Sequence, residues 1–260
     1  MIIYRQVIIS SILFLLVVLQ AFVLQSDAAE GKQITSLTSQ PIFDLSFADS
    51  GPSTNPLVEK GFCPIIHQGR VIFRVDSGNL CMTAGPGSRM LYSLAINPVH
   101  AGRIRIAWGV HRFPQGVDWD NGPTKREPLG VAISFGDKMA PKCSDATSIV
   151  GIIMRALSRL QRMIDPPQTV VIFLGRTRWH NRMLEGNLYR KQIRYLCQDF
   201  QQPDSAGCLI SEFSIDTLYQ RAFKVPYRQT PRINAVSLET DLDGLVDSSS
   251  VFLKAIELLP

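Results

Sequence analysis

The sequence predicts an all-β protein, an antiparallel β-sandwich that carries one inserted amphipathic helix. Short runs rich in β-branched and aromatic residues recur along the chain and are divided by Gly, Pro and Asn, a spacing typical of a sandwich rather than of repeated strand–helix–strand units. One longer stretch has helical periodicity instead. The predicted strands cover residues 42–47, 71–75, 90–96, 103–110, 129–135, 170–174, 233–240 and 251–258.

The amino terminus predicts a secretory signal over residues 1–28. Arg5 supplies a short positive segment, residues 7–24 are an almost unbroken apolar run, and Ser26 and Ala28 are small residues at the positions that a signal peptidase reads. We expect cleavage after Ala28, which would leave the mature chain in the periplasm or outside the cell. An uncleaved anchor is the alternative, since an apolar run of this length can span a bilayer.

After the signal, the sequence predicts a leader with the first strand at 29–56 and one β-sandwich domain at 57–260. The chain of 260 residues has 27 Lys and Arg against 22 Asp and Glu, a formal net charge of +5. A basic exported protein favours anionic partners such as acidic polysaccharides, lipid headgroups or nucleic acid, and the alternative is that this modest excess of charge serves only solubility. No later stretch is long and apolar enough to cross a membrane, so membrane attachment is expected only through an uncleaved signal.

Two predicted strands alternate clearly enough for their faces to be assigned. Residues 103–110 put apolar side chains on one face and basic side chains on the other, and the apolar face is expected in the core. Residues 129–135 have a bulky face and a face of small residues, which we expect to lie under a covering segment or to floor a groove. The bulky faces are Ile104, Ile106, Trp108 and Val110, and Leu129, Val131, Ile133 and Phe135; the small face is Gly130, Ala132 and Ser134.

The stretch at about 144–165 breaks the strand pattern and predicts the inserted helix. Apolar residues recur there at helical spacing, Ser144 is a suitable N-cap, and two prolines at 166–167 end the run. Arg155, Arg159 and Arg162 form a basic stripe on the other side. This stripe is either a solvated face or a contact for an anionic surface.

All five cysteines follow the predicted cleavage site. In an oxidising compartment the near pairs Cys63/Cys81 and Cys197/Cys208 could each close a loop, which would leave Cys143 free. Unpaired buried thiols are the alternative, because disulfide connectivity cannot be deduced from sequence. The spacing matches no zinc or haem motif.

The loop at 113–122 contains the first candidate ligand site. An exposed Trp119 could stack on a sugar ring, while Asp118, Asp120 and Asn121 bind the hydroxyl groups. A tryptophan that anchors its own loop is the alternative interpretation. We therefore take these four residues as candidate saccharide contacts.

The segment at 176–194 contains the second candidate site. Six basic residues, Arg178 among them, are interleaved with Trp179 and other aromatic residues. Cations mixed with flat rings suit acidic sugars, sugar faces or phosphate groups. A solvated loop with inward-facing aromatic side chains is the alternative, and an exported protein is not expected to have nucleic acid as its partner.

The acidic turn between the last two predicted strands is a candidate calcium site. Asp241, Asp243 and Asp247 could supply hard oxygen ligands. The EF-hand pattern does not fit, because the twelfth position counted from Asp241 is Phe252. Calcium is therefore only an optional structural ion, and a hydrogen-bonded Asp-Gly turn is the alternative.

No common catalytic motif occurs in the chain: there is no nucleophile elbow, zinc-protease helix, Walker loop or dinucleotide fingerprint. A glycosidase would need two facing carboxylates. The sequence alone does not tell which acidic side chains converge. The candidates are Asp118, Asp120, Glu127, Glu212 and Asp243.

Several motifs, in a fixed order, resemble an uncharacterised bacterial family of exported proteins, number three-zero-four-seven among the domains of unknown function. They lie at 61–62, 80–94, 104–110, 130–135, 171–174, 211–223 and 239–243 and span most of the mature chain. The resemblance implies a jelly-roll sandwich akin to galactose-binding and other carbohydrate-binding modules. It implies no reaction.

Together these observations favour an exported, non-catalytic binding protein of the cell envelope. Its expected ligand is a saccharide or another anionic envelope component, with no cofactor apart from the optional calcium. One alternative is a polysaccharide-active hydrolase or lyase that uses paired carboxylates. The other is an envelope scaffold that holds an anionic surface or a partner protein.

Overall fold

The computed structural model describes residues 40–50, 53–121, 125–140, 167–185, 192–201, 207–225 and 230–260. Within these residues the chain forms thirteen strands and two short helices. The strands are β1 Phe43–Ser46, β2 Cys63–Gln68, β3 Val71–Asp76, β4 Asn79–Ala84, β5 Arg89–Val99, β6 Arg103–Arg112, β7 Glu127–Phe135, β8 Thr169–Gly175, β9 Met183–Glu185, β10 Ile193–Asp199, β11 Leu209–Ser214, β12 Ile233–Asp241 and β13 Ser249–Leu259. The helices are α1 Pro56–Glu59 and α2 Ile215–Phe223, and a 3-10 turn covers Thr177–Trp179.

The strands form two sheets, which confirms the predicted all-β sandwich. A six-stranded sheet has the order β11-β6-β13-β4-β3, with β1 paired to β13. A seven-stranded sheet has the order β2-β5-β12-β7-β8-β10-β9. The predicted strands all occur, and five further strands that lacked a clear apolar period join them: β2, β4, β9, β10 and β11.

One pairing departs from the antiparallel prediction. Strands β8 and β10 run parallel, with Thr169 opposite Ile193. A parallel pair needs a crossover connection rather than a hairpin. The crossover contains the 3-10 turn and β9, which pairs antiparallel with β10. The parallel pair therefore brings the turn at 177–179 to the end of the sheet.

The predicted faces of β6 and β7 are confirmed in the core between the sheets. Ile104, Ile106 and Trp108 of β6 are fully buried, as are Val131 and Ile133 of β7. These side chains belong to one continuous apolar cluster. Burial of such side chains stabilises a fold by about 1.5–3 kcal/mol each.

The small face of β7 is covered, as one of the two interpretations expected. Ala132 lies in a second apolar cluster on the opposite side of the seven-stranded sheet. The rings of Trp119, Phe173 and Trp179 belong to the same cluster. The cluster shows that the loop at 113–121 lies on this outer face.

The described helix α2 was not predicted as a helix. Ser214 is its N-cap and accepts a hydrogen bond from the Thr217 amide at 3.4 Å. Its last turn ends at Lys224, which has a left-handed backbone with φ of 55°. The helix predicted at 144–165, its basic stripe and the signal at 1–28 lie outside the described residues. None of the described helices has the length and apolar character needed to cross a bilayer.

Neither of the two expected near disulfide pairs forms. Cys81 and Cys197 are free thiols, so Cys63/Cys81 and Cys197/Cys208 are wrong pairings. Cys81 lies on β4, opposite Phe252 of β13, whereas Cys63 lies on the other sheet. Cys197 is buried, and burial raises the pKa of its thiol to about 12. Cys143 lies outside the described residues.

A buried hydrogen bond in the core provides a test of the fold. The Trp108 indole Nε1 donates to the Ser211 hydroxyl at 3.0 Å between strands β6 and β11. We expect Ser211→Ala to lower the free energy of unfolding by about 1–3 kcal/mol, because the indole donor is left buried without a partner. Urea unfolding measures this change.

The matched control is a double-mutant cycle with Trp108→Phe, which removes the donor. The double variant should lose less stability than the two single variants added together, because the second change then leaves no orphaned group. Strictly additive losses would show that the hydrogen bond contributes nothing.

Candidate ligand-binding surface

The two ligand sites predicted from separate segments meet on one surface. Asp118 forms an ion pair with Arg178 at 3.1 Å between Oδ1 and Nη2. Asp120 forms an ion pair with Arg182 at 3.0 Å. We call these four residues, with Trp179 beneath them, the paired-charge surface. Its two halves are about 60 residues apart in the sequence.

The four charged side chains are about half exposed. The exposed fractions are 37% for Asp118, 54% for Arg178, 50% for Asp120 and 48% for Arg182. Each carboxylate therefore faces both solvent and a guanidinium group. Such exposed pairs contribute little to stability, but they order the side chains that form them.

Trp179 supports this surface from below. Its ring is fully buried, and its Nε1 donates to Asp120 Oδ2 at 2.9 Å. The Arg178 guanidinium carbon lies 4.2 Å from the ring centroid, a cation–π contact. The hydrogen bond from Trp179, and then the Arg182 guanidinium, lower the pKa of the Asp120 carboxyl. Asp120 is thus held in its ionised form.

The expected exposure of Trp119 is wrong. Only 3% of the residue is exposed, and its ring stacks on Phe173 with centroids 4.5 Å apart. The ring also lies 4.9 Å from Tyr195, and its Nε1 donates to the Arg126 carbonyl at 2.9 Å. Ala132 of β7 belongs to the same apolar cluster as this ring on the outer face of the sheet. Trp119 therefore anchors its loop and has no exposed face to stack on a sugar.

Asn121 lies at the exposed end of the same loop. The loop is also held at Asp118, whose Oδ1 accepts a hydrogen bond from the Asp120 amide at 3.0 Å. This bond is a typical Asx-turn, in which an aspartate caps the chain two residues later. The anchored tryptophan and the turn together fix the direction of both carboxylates.

The three aspartates predicted as calcium ligands pair with arginines instead. Asp241 lies 3.5 Å from the Arg126 guanidinium, and Asp243 lies 3.8 Å from the same group. Asp247 pairs with Arg112. The described residues contain no group of three or more His, Cys, Asp or Glu side chains arranged to hold a metal ion. The arginines supply the positive charge that the calcium interpretation required.

The acidic turn is held by hydrogen bonds as well as by charge. The Asp243 amide donates to Asp241 Oδ1 at 2.9 Å, and Gly244 has a left-handed backbone with φ of +74°. The amides of Gln115 and Ser248 donate to the Asp247 carboxylate at 3.0 and 2.8 Å. These amides, followed by the guanidinium of the paired arginine, lower the pKa of Asp247.

A buried pair of carboxyl groups lies beneath the anchored loop. Glu127 at the start of β7 and Glu239 near the end of β12 lie on neighbouring strands and interact electrostatically, and Tyr195 of β10 interacts with both. Burial, together with the nearby Asp241 charge, raises the pKa of Glu239 to about 7. Burial and the charge of Glu239 raise the pKa of Glu127 well above its usual range. The pair therefore retains a proton near neutral pH.

The burial of the Glu127–Glu239 pair does not suit a glycosidase site. The two carboxyl groups of a glycosidase lie about 5–9.5 Å apart, which leaves room for a sugar or a water between them. Here Glu127 is only 4% exposed and Glu239 Oε1 is buried as well, so the pair is not open to a sugar chain. The other acidic candidates are ion-paired: Asp118 and Asp120 on the paired-charge surface, Asp243 with Arg126, and Glu212 with Arg103 at 2.7 Å.

Sequence patterns did not indicate two of these features. Glu127 and Glu239 lie on neighbouring strands although they are more than 100 residues apart in the chain. Arg182 was counted with the basic segment but was not selected as a site residue. Local periodicity carries no information on such contacts, because they depend on which strands become neighbours.

Comparison with known proteins identifies no family for this chain. No family model and no curated protein matches it. Among solved structures, it superposes on a family 29 carbohydrate-binding module with a TM-score of 0.31 and 4% sequence identity. The superposition covers 83% of this chain and 87% of that chain. A point mutant of such a module superposes with a TM-score of 0.34 and 4% sequence identity, over 83% of this chain and 91% of that chain.

A glycoside hydrolase domain of Endo-D from Streptococcus pneumoniae also superposes. It has 10% identity, a TM-score of 0.31, and coverage of 76% of this chain and 21% of that chain. At these TM-scores the superpositions carry no argument about ligand or activity. The fold class rests on the observed sheets, and membership of the uncharacterised exported family stays a prediction.

The Glu127–Glu239 pair predicts how stability depends on pH. The folded pKa of Glu239 lies above its ordinary value of 4.5, so the folded protein keeps a proton that the unfolded chain releases. This contribution is fully present below pH 4.5 and is lost as the pH rises to about 7. We expect the free energy of unfolding, measured with urea, to fall as the pH rises across this window. The fall should be smaller in Glu239→Gln.

The control variant is Glu257→Gln, whose carboxylate lies on the six-stranded sheet and pairs with Arg105. It should keep the wild-type pH dependence across the same window. An unchanged slope in Glu239→Gln would contradict the retained proton.

The arginine pairing also predicts the response to calcium. We expect the midpoint of thermal unfolding to be the same in millimolar calcium as in magnesium of equal ionic strength. The reason is that Arg112 and Arg126 already neutralise the acidic turn. Differential scanning fluorimetry measures the midpoint. A calcium-specific rise that disappears in Asp247→Asn would restore the calcium interpretation.

Proposed function

We propose that this protein is an exported, non-catalytic saccharide-binding protein of the cell envelope, and that the paired-charge surface is its binding site. One observation carries the proposal: two distant segments meet to hold Asp118, Asp120, Arg178 and Arg182 half exposed over a buried tryptophan. This arrangement presents hydrogen-bond acceptors and donors side by side on a rigid support.

The alternation of carboxylate and guanidinium groups suits sugar hydroxyls. A hydroxyl group can donate to a carboxylate and accept from a guanidinium at the same time. The ion pairs and the cation–π contact of Arg178 with Trp179 restrict the side chains before any ligand arrives. Ordering side chains in advance lowers the entropic cost of binding.

The protonation and the burial of the carboxyl groups favour binding over hydrolysis. A glycosidase needs one carboxylic acid protonated beside the scissile bond. On the paired-charge surface the pKa of Asp120 is lowered, so this group is a carboxylate. The proton-retaining pair, Glu127 and Glu239, is buried away from the surface.

Export and family membership are parts of the same proposal. Their support is the amino-terminal pattern at 1–28 and the ordered motifs of the exported family. Amino-terminal sequencing of the chain produced in a bacterial host tests the export step. We expect a mature protein that begins at Ala29, and a chain that keeps its first residue in the cytoplasmic fraction would contradict export.

A binding experiment with matched variants tests the site. We expect Asp118→Asn and Arg178→Gln each to weaken saccharide binding about tenfold, because each removes one charge-assisted hydrogen bond to the ligand. A glycan array identifies the sugar, and titration calorimetry measures the affinity of each variant.

The control is Arg103→Gln, which breaks an ion pair of similar exposure on the six-stranded sheet. It should bind as wild type does. Equal weakening by the control, or wild-type affinity in both surface variants, would show that the sugar binds elsewhere. A wild-type protein that binds no saccharide on the array would contradict the function itself.

A further inference from the structure

Exposed donors without a protein acceptor among the described residues lie at both ends of the 3-10 turn that carries Arg178 and Trp179. Asp120 uses one oxygen for Arg182 and the other for Trp179. Nearby Asp199 is buried, and its two oxygens accept from the Thr177 hydroxyl at 2.8 Å and from the Gln201 amide at 2.9 Å. Each of these four oxygens already has one protein partner, and each keeps a second lone pair for a ligand hydroxyl.

Arg176 is the main free donor. It is exposed at the start of the 3-10 turn, and it pairs with no carboxylate among the described residues. Its guanidinium carbon lies 5.4 Å from the centroid of the Phe113 ring. Phe113 in turn stacks on Phe200, with centroids 4.7 Å apart and planes 10° apart. The stacked rings support the guanidinium, while its N–H groups stay open to solvent.

His180 adds a second donor at the other end of the same turn. Its Nδ1 accepts a hydrogen bond from the Asp199 amide at 3.1 Å. A ring nitrogen that accepts from an amide carries no proton, so the neutral ring has its proton on Nε2. The side chain is exposed. Both ends of the turn thus present N–H groups that have no acceptor in the described chain.

We infer that the ligand of the paired-charge surface is an acidic saccharide, and that Arg176 binds the carboxylate of a uronic acid residue. This inference rests on the proposed function and specifies its ligand class. A guanidinium group binds a carboxylate through two parallel hydrogen bonds, a geometry that a neutral sugar does not offer. The formal net charge of +5 also favours an anionic ligand.

The test compares acidic polysaccharides with their neutral forms. Polygalacturonate, alginate and hyaluronate are each titrated beside the methyl ester of the same polymer, which keeps the sugar backbone and removes the charge. We expect the wild-type protein to bind at least one of the acids about tenfold more tightly than its ester. Added salt should reduce this preference.

Variants of Arg176 assign the preference to this residue. Arg176→Gln should abolish the preference for the acid, and Arg176→Lys should retain only part of it, because lysine keeps the charge but not the two-pronged geometry. The control is Arg74→Gln, an exposed arginine on the six-stranded sheet with 72% of its side chain accessible. It should keep the full preference.

Each outcome separates this inference from the proposed function. Equal binding of acid and ester that still depends on Asp118 and Arg178 would overturn the acidic ligand and leave saccharide binding intact. A preference for dextran sulfate over every uronate would overturn the carboxylate assignment. Full preference in Arg176→Gln would overturn the role of Arg176. Absence of binding to any saccharide, acidic or neutral, would overturn both.

Discussion

The candidate site depends on the burial of the Trp119 ring against the outer face of the seven-stranded sheet. The ring stacks on Phe173, and only 3% of the residue is exposed. Burial of so large an aromatic side chain is among the stronger local contributions to stability. Because Asp118 and Asp120 flank this anchor in the chain, their carboxylates are fixed beside Arg178 within the 3-10 turn and Arg182 after it. The anchor and the hydrogen bond from Trp179 to Asp120 together fix the relation between the two halves of the surface.

Neighbouring carboxylates in this protein are neutralised in two ways. In the acidic turn, arginines supply the opposite charge, as Arg126 does for Asp241. In the buried Glu127–Glu239 pair, a retained proton removes a negative charge instead. The difference follows from solvation, because burial penalises an ionised carboxylate more strongly than exposure does. Each solution accounts for acidic residues that sequence alone would assign to a metal or to catalysis.

Much of the fold could be predicted because alternation is a local property. The two-residue period of β6 and β7 gave the correct inward faces, down to the buried Trp108 and the small face at Ala132. The strands without a clear period, such as β9 with three residues, could not be found in this way. The parallel pairing of β8 with β10 was also missed, since strand direction depends on the crossover rather than on composition.

The sequence by itself determined the all-β class, the faces of the alternating strands and the charge and aromatic content of the two candidate segments. The tertiary structure decided that Trp119 is buried, that Asp120 faces Arg182, and that Glu127 and Glu239 lie on neighbouring strands. The physical reason is the distance along the chain over which each property is determined. Side-chain direction along a strand follows from the local backbone, whereas burial and ion pairing depend on which distant segments become neighbours when the sheets close.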